Sequence, residues 1–183
     1  MKQLDLMLQR WRIRKARKFI PEGGRVLDIG SADGALFKTL KSHIGSGLGI
    51  DPTLKQAVQA GKMQIVPGFF PKDMPEVAPF DAITMLAVLE HIPESAFEDL
   101  SRGCVRFLKP GGHLIITVPS PLVDHILKVL KALRLIDGMS LEEHHGYRVE
   151  QTTDIFAPPA FRLVCRKHFQ LGLNNLFVFQ HDQ

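Results

Sequence analysis

Two aspartates and a pair of glycines lie close together in the first third of the chain. Asp28 lies one residue before the end of an apolar run, and Gly30 and Gly34 follow that run in a short turn. Asp51 ends the next apolar run, 21 positions after Gly30. Glycines in such a turn let a ligand reach the backbone, where a Cβ would block it. In a βαβ unit, a carboxylate at the end of the second strand lies beside that turn and can accept ribose hydroxyls. The spacing therefore predicts an adenosine-binding site, although Asp51 could instead cap a helix that begins near Leu54.

These residues can meet only if parallel strands carry them to one edge of a sheet. Apolar runs alternate with helical patterns along the chain, which is typical of a doubly wound α/β sheet. A helical pattern with Leu36, Leu40 and Ile44 follows the turn and would direct its free N–H groups at a ligand there. Near the end of the chain, Phe161–Phe169 and Leu173–Phe179 predict a hairpin that closes the sheet. The other predicted strands cover residues 26–29, 47–51, 63–66, 80–86 and 113–119, and further helices are predicted over 95–107 and 122–136.

The positive charge of the chain is concentrated at its start. Residues 1–20 hold seven lysines and arginines against Asp5 alone, so this segment carries +6 and the rest carries −2 of the net +4. This local basicity makes nucleic acid an improbable partner of the whole domain. A helix is predicted over about residues 4–19, and its basic side is either solvated or a face for a phosphate-bearing substrate or a membrane surface. The apolar side is predicted to consist of Leu4, Met7, Leu8, Trp11 and Phe19.

Length and composition favour a single domain over residues 1–183. The chain is 45% hydrophobic and 23% charged, which is ordinary for a globular protein. No apolar run is long enough to cross a membrane, and no secretory signal is recognisable. The two cysteines, Cys104 and Cys165, lie far apart, so a reducing, cytoplasmic setting is expected.

In the order and spacing of its motifs the chain resembles the class I S-adenosylmethionine (SAM)-dependent methyltransferases, in particular small type 11/12-like domains. The resemblance covers roughly residues 20–120 well and the final hairpin by topology. It implies a Rossmann-like seven-stranded sheet in the order 3-2-1-4-5-7-6, with the last strand antiparallel and helices on both faces. It also implies a cofactor-binding core over residues 21–120 and an acceptor-side segment within 121–183. The motifs are Val26–Gly34, Gly49–Asp51, Phe80–Thr84, Val88–Ile92 and Leu108–Gly112.

The same resemblance implies SAM as cofactor, S-adenosylhomocysteine (SAH) as product and a role for each matching residue. Ala32 stands where the family usually has glycine, and Phe69 stands where an acidic residue is common. The turn would contact the methionine part of SAM, and the end of the second strand would contact its ribose. The loop after the third strand would contact its adenine, and the end of the fourth strand would approach its methyl group. In that order, the implied residues are Asp28, Gly30, Ser31, Ala32 and Gly34; Asp51 and Pro52; Gly68 and Phe69; and Leu86 and Ala87.

The acceptor side offers weaker candidates. His91 could act as a general base because its reference pKa is near neutrality, although Glu90 and His91 could equally cap or orient the following helix. His144, His145 and Tyr147 could orient the substrate or belong to a plain polar loop. The adjacent histidines have glutamates beside them, but neighbouring side chains diverge and no third ligand is evident. We therefore expect no metal.

Two other functions are compatible with parts of the sequence. A SAM-fold partner subunit without turnover, of the type associated with methionine biosynthesis, would also have a short chain. A nicotinamide-dependent oxidoreductase needs G-x-G-x-x-G, and this chain has Ala32 and Ala35 at two of those glycine positions. Methyl transfer to a small or anionic acceptor fits the motifs best. The sequence leaves open the acceptor, the use of a base and the oligomeric state.

Overall fold

One eight-stranded sheet organises the part of the chain that the structure describes. The structure is a computed structural model that describes residues 3–120 and 147–182, with side chains from residue 6 onward. The strand order is β3-β4-β2-β1-β5-β6-β8-β7. The strands are β1 Arg25–Ile29, β2 Ser46–Asp51, β3 Val58–Ala60, β4 Met63–Pro67, β5 Phe80–Leu86, β6 Leu108–Pro119, β7 Phe161–Phe169 and β8 Asn174–His181.

The predicted order is confirmed, with one additional strand at the edge. Strands β4, β2, β1, β5 and β6 are parallel, and β8 is antiparallel to both β6 and β7. The prediction of seven strands is wrong because β3 adds a short antiparallel strand beside β4. The helix expected near Leu54 is absent, and residues 52–57 form turns and bends. Every residue from Lys55 to Ala60 is exposed, so a helix there would have no buried face to stabilise it.

Helices cover both faces of this sheet, as predicted. On one face, α1 (Gln3–Arg17) and α2 (Ala35–Leu40) pack over a cluster that includes Ile13 and Leu36. On the other, α3 (Phe97–Phe107) and α4 (Gln151–Ile155) pack over a second cluster. Short 3₁₀ turns at Leu89–His91 and Glu94–Ala96 join β5 to α3.

The orientation predicted for α1 is wrong for Met7 and Trp11, whereas Phe19 packs against the core as predicted. Met7 is 54% exposed and Trp11 39% exposed, whereas Ile13, Ala16 and Ile20 are buried. The buried set recurs at three- and four-residue spacing, which defines the face that meets the sheet. Small or branched residues on that face let the helix approach the strands closely, so the larger Trp11 lies outward.

Two other boundaries differ from those expected. Helix α2 has only six residues, so its dipole contributes little at the turn. Ile44 is buried beyond the end of this helix. Strand β6 begins at Leu108, which pairs with Phe80 of β5. The residues between Leu108 and His113 form an irregularity in this pairing. Among the described residues, no helix is long and apolar enough to cross a membrane.

Candidate functional site

The carboxyl ends of β1, β2 and β5 bring the predicted site residues to one edge of the sheet. In the parallel register, Asp28 of β1 lies level with Gly49 of β2 and Thr84 of β5. Asp51 ends β2, and Leu86 ends β5. This is the edge at which open α/β sheets bind ligands.

The turn after β1 is held tightly between its neighbours. The Gly30 N–H donates to the Ile50 carbonyl at 2.9 Å, and the Gly34 N–H donates to the Ser31 carbonyl at 2.7 Å. Gly30 has φ +72°, and a Cβ there would lie 2.4 Å from a methyl carbon of Val88. A side chain at this position would therefore push the loop after β5 away from the turn.

Asp51 connects the end of β2 to the same turn. Its Oδ2 accepts the Ala32 N–H at 2.7 Å, and its Oδ1 accepts the Thr53 N–H at 2.8 Å and hydroxyl at 2.5 Å. Ala32 adopts φ 40°, in the left-handed region that favours glycine. The carboxylate caps a turn at Thr53, so the alternative of a helix cap is wrong.

Asp28 is buried, and its protonation is unusual. The Thr84 hydroxyl donates to Asp28 Oδ1 at 2.6 Å. Burial raises the Asp28 pKa to about 7, the Thr84 bond lowers it, and the negative charges of Asp51 and Asp33 raise it further. The carboxyl therefore ionises near neutral pH, and a cationic partner would stabilise its charged form.

A small cavity of about 70 Å³ lies between α1 and the turn. Gln9, Arg12 and Ile13 line it from the helix, so α1 lies over the site. Ser31 is 4% exposed, and its hydroxyl has no hydrogen-bond partner in the described part of the chain. The remaining lining residues are Asp28, Gly30, Ser31, Ala32, Ala35, Leu36 and Leu86.

The loop after β4 lies beside Asp51. The Gly68 N–H donates to the Asp51 carbonyl at 3.2 Å. Phe69 is 65% exposed, whereas Phe70 packs against Phe107 with 5.9 Å between ring centroids. Phe70 is therefore the core residue of the pair, and Phe69 is the one available to a ligand. Asp73 accepts the Phe69 N–H at 2.8 Å, so a carboxylate lies next to the position where the family often has its own acid.

The loop after β5 carries the acceptor-side candidates. Ala87 has φ 62°, and its N–H donates to the Thr117 carbonyl at 2.8 Å. Glu90 is 3% exposed, and His91 is exposed at the end of the 3₁₀ turn. Pro52 lies exposed just after Asp51.

The side chain of Tyr147 contacts residues of α4 and α3. Its hydroxyl bonds to the Thr152 hydroxyl, and its ring meets Phe97 edge-on at 6.2 Å. Burial raises the Tyr147 pKa, and the charges of Glu90 and Glu150 raise it further, so this phenol stays neutral. His144, His145 and the predicted helix over 122–136 lie outside the described residues.

Sequence reasoning missed the residues that approach the site from other elements. Thr84 is a buried polar residue of β5, and aligning β1 with β5 would have paired it with Asp28. Arg12 is one of several cations in α1, and no signal in the sequence separates it from the others. Asp73 lies five residues after Gly68 and is brought back by the loop.

A profile of a methyltransferase-domain family matches residues 3–155. The chain belongs to this methyltransferase family. Ubiquinone biosynthesis O-methyltransferase of Alkalilimnicola ehrlichii is 33% identical over 106 residues, which are 52% of this chain and 42% of that protein. The chain spans about half the length of the curated relatives it matches, between 42% and 55% for the Alkalilimnicola and Ralstonia nicotianae proteins.

Solved structures confirm the fold. N-methyltransferase NodS from Bradyrhizobium japonicum has a TM-score of 0.69 at 16% identity, over 100% of both chains. The SAH-bound form of CalO1, a methyltransferase in calicheamicin biosynthesis, has a TM-score of 0.66 at 17% identity, over 97% of this chain and 54% of that one. The predicted membership of the SAM-dependent methyltransferases is therefore confirmed at the level of family and fold.

Proposed function

We propose that this chain transfers a methyl group from SAM to an acceptor molecule. The observation that carries the proposal is a buried carboxylate on each side of one turn, Asp28 at the end of β1 and Asp51 at the end of β2. An adenosine that carries an amino-acid tail presents hydroxyls to one carboxylate and an ammonium to the other. A dinucleotide would bring a pyrophosphate to the same turn.

The residues present fit SAM in chemistry and shape. The buried Asp28 carboxyl would gain an ammonium partner, and the buried Ser31 hydroxyl would gain a hydrogen-bond partner. The cavity of about 70 Å³ under α1 suits an amino-acid head group, and the rest of the cofactor would extend past Asp51 toward Phe69. The absence of a side chain at Gly30 leaves room for Val88, so the loop after β5 can lie against the turn.

Phe69, which the sequence already implied, and two side chains that it did not single out, Arg12 and Asp73, extend this site. We assign Arg12 to the cofactor carboxylate because Arg12 lines the same cavity as Asp28 and carries a cationic side chain. We assign Phe69 to one face of adenine because its ring is exposed beside Asp51. Asp73 would accept the adenine amino group, since its Oδ2 holds the Phe69 N–H and its Oδ1 makes no hydrogen bond within the described residues.

The chemistry needs little from the protein beyond position and exclusion of water. When bound, SAM supplies a methyl group on a positively charged sulfur, which leaves as a neutral thioether. Leu86 and Ala87 at the end of β5 would border that methyl group. His91 follows in the same loop and is the proposed base for an acceptor that must lose a proton.

We infer a small or anionic acceptor, as the basic first helix favours, and a cytoplasmic setting. Cys104 and Cys165 are both free thiols, as is usual in a reducing compartment. The relatives include both O- and N-methyltransferases, so an assay of SAH release should use phenolic and amine acceptors side by side.

Calorimetry with SAH and with NAD tests the proposal. We expect SAH to bind and NAD not to bind. Binding of NAD without binding of SAH would refute the assignment of SAM as cofactor. SAH release with one acceptor class establishes the enzyme. Tight SAH binding without turnover on a broad acceptor panel would instead support the partner subunit without catalysis.

His91 can be tested separately at saturating SAM. If it acts as the base, His91→Asn should lower kcat about 10²-fold or more while SAH affinity stays the same. His168→Asn is a suitable control because His168 is exposed on β7, in no contact with the site described above. A normal kcat for His91→Asn would rule out this role.

A further inference from the structure

The two sides of α1 differ in what they contact. Its inner side packs on the sheet through Ile13 and Ala16, and Gln9 and Arg12 line the cavity. Its outer side is an exposed stripe at helical spacing, continued by one residue past the helix end. This outer stripe consists of Met7, Arg10, Trp11, Arg14 and Lys18.

The outer stripe combines apolar and cationic groups without acids. Met7 is 54% exposed and Trp11 39% exposed; Arg10 lies one turn after Met7, and Trp11 lies between Arg10 and Arg14. None of the described side chains of α1, residues 6–17, is acidic. Arg10, Arg14 and Lys18 form no ion pair within the described residues, whereas the exposed Arg102 on α3 is paired with Glu98 and Asp99. These cations are available to an external anion.

A second feature extends this surface from another part of the chain. The turn between β7 and β8 holds Leu171 in the left-handed region, at φ 59°, and leaves it 96% exposed. Such a conformation is unusual for leucine. The Gln170 side-chain amide donates to the Leu8 carbonyl at 3.1 Å, which fixes the turn against α1. An apolar side chain is thus exposed at a turn that contacts α1 through Leu8.

A cation accompanies this leucine on the same side of the sheet. Cys165 and Phe169 of β7 pack in the cluster under α1, so the alternation of a strand brings Lys167 to that face as well. Lys167 is exposed. The described surface therefore combines the exposed apolar Met7, Trp11 and Leu171 with exposed lysines and arginines on α1 and β7.

We propose that the outer stripe and the Leu171 turn together dock on the surface of an anionic phospholipid bilayer. Tryptophan favours the depth of the head groups, the exposed Met7 and Leu171 would enter the acyl boundary, and lysine and arginine attract anionic lipids. A nucleic acid would use the cations but would leave Met7 and Leu171 in water. Charge and apolar exposure together therefore favour the bilayer.

The docked orientation would bring the cavity close to the bilayer. Outer stripe and cavity lie on opposite sides of one helix, whose diameter with side chains is about 10 Å. An acceptor that resides in the bilayer would then have a short path to the site. Docking itself does not depend on methyl transfer, so a failure to bind SAH would leave this inference standing.

Trp11 is the only tryptophan of the chain and reports directly on docking. The intact protein is titrated with phosphatidylcholine vesicles that contain about 30% phosphatidylglycerol, and with pure phosphatidylcholine vesicles. We expect the Trp11 emission to shift to shorter wavelength and to be quenched by brominated acyl chains with the anionic vesicles alone. An unchanged emission, or an equal response to both vesicle types, would overturn the proposal.

Variants test which residues carry the binding. Arg10→Glu with Arg14→Glu should weaken binding in vesicle flotation by at least about tenfold. Lys62→Glu with Lys72→Glu reverses the same charge at exposed positions near β4 and should change binding less than about twofold. If both double variants lose vesicle binding equally, binding depends on net charge alone. That result would contradict a defined docking face.

The apolar contribution has its own matched pair. Leu171→Ser should weaken flotation, whereas Val58→Ser, at a residue 47% exposed on β3, should not. Circular dichroism establishes that each variant is folded. If the protein binds a single-stranded oligonucleotide but does not bind anionic vesicles, the ligand of this surface is a nucleic acid. That result would refute the proposal.

Discussion

Binding of the cofactor should depend on pH with a midpoint near neutrality. Asp28 is the proposed partner of the cofactor ammonium, and its pKa in the empty site is raised to about 7 by burial and by the charges of Asp51 and Asp33. Only the ionised carboxylate pairs with an ammonium. Below pH 7 the cofactor must therefore displace a proton, and its apparent affinity falls.

The size of this effect follows from the raised pKa. With a pKa of about 7, the ionised fraction of Asp28 at pH 5.5 is about 25-fold smaller than at pH 7.5, and the Kd of SAH should rise by that factor. With the ordinary pKa of 3.8, the Kd would be flat over this range. The two cases are easily distinguished by calorimetry.

The same shift also predicts a change in stability. Because the folded pKa lies above the unfolded value, Asp28 destabilises the fold progressively as the pH rises from 3.8 to about 7, and fully above that. At 1.36 kcal/mol per pKa unit this amounts to at most about 4 kcal/mol. Asp28→Asn should therefore raise the free energy of unfolding at pH 8, with little change at pH 4, while it weakens SAH binding.

Two controls make the test specific to the ammonium. 5′-Methylthioadenosine lacks the amino-acid tail, so its affinity should not follow the ionisation of Asp28. Asp33→Asn removes an exposed carboxylate of the same turn and should preserve the pH slope for SAH, with a slightly lower midpoint. An equal slope for both ligands, or a flat SAH profile, would refute the assignment.

Three further substitutions test other parts of the site. Ala32→Gly relieves a left-handed alanine and should raise the free energy of unfolding by up to about 1 kcal/mol, whereas Ala35→Gly at the start of α2 should lower it by about 1 kcal/mol, both by urea unfolding. Asp51→Ala should weaken SAH binding by about 2–3 kcal/mol in calorimetry, and an unchanged affinity would exclude the ribose role. Arg12→Gln should weaken SAH by about tenfold but leave 5′-methylthioadenosine unaffected, with Arg12→Lys retaining most of the SAH affinity; equal losses for both ligands would contradict the carboxylate role.

The strand ends of the site were predictable because short-range rules determine them. Apolar runs identified β1, β2, β4 and β5, and parallel strands necessarily bring their carboxyl ends to one edge. Asp28 and Asp51, near the ends of β1 and β2, must therefore lie at that edge on both sides of the turn. The final hairpin followed from two runs separated by Gln170, Leu171 and Gly172.

The rest depends on contacts between segments that are distant in sequence. Trp11 was expected on the buried side because it is large and apolar, but the sheet accepts the smaller Ala16 and the branched Ile13. The helix expected after Asp51 did not form because residues beyond Leu54 have nothing to pack against. The Thr84 bond to Asp28 depends on the register of two strands whose bonded residues are 56 positions apart.

The electrostatics of the turn lead us to expect that it binds SAM in preference to a dinucleotide. Asp28, Asp33 and Asp51 bring three carboxylates together, and their mutual repulsion is part of what raises the Asp28 pKa. Helix α2 has only six residues, so its dipole offsets little of this negative charge. A pyrophosphate would add charge of the same sign, whereas the ammonium and the sulfonium of SAM would relieve the repulsion. We therefore expect the acidic turn to disfavour dinucleotides by charge.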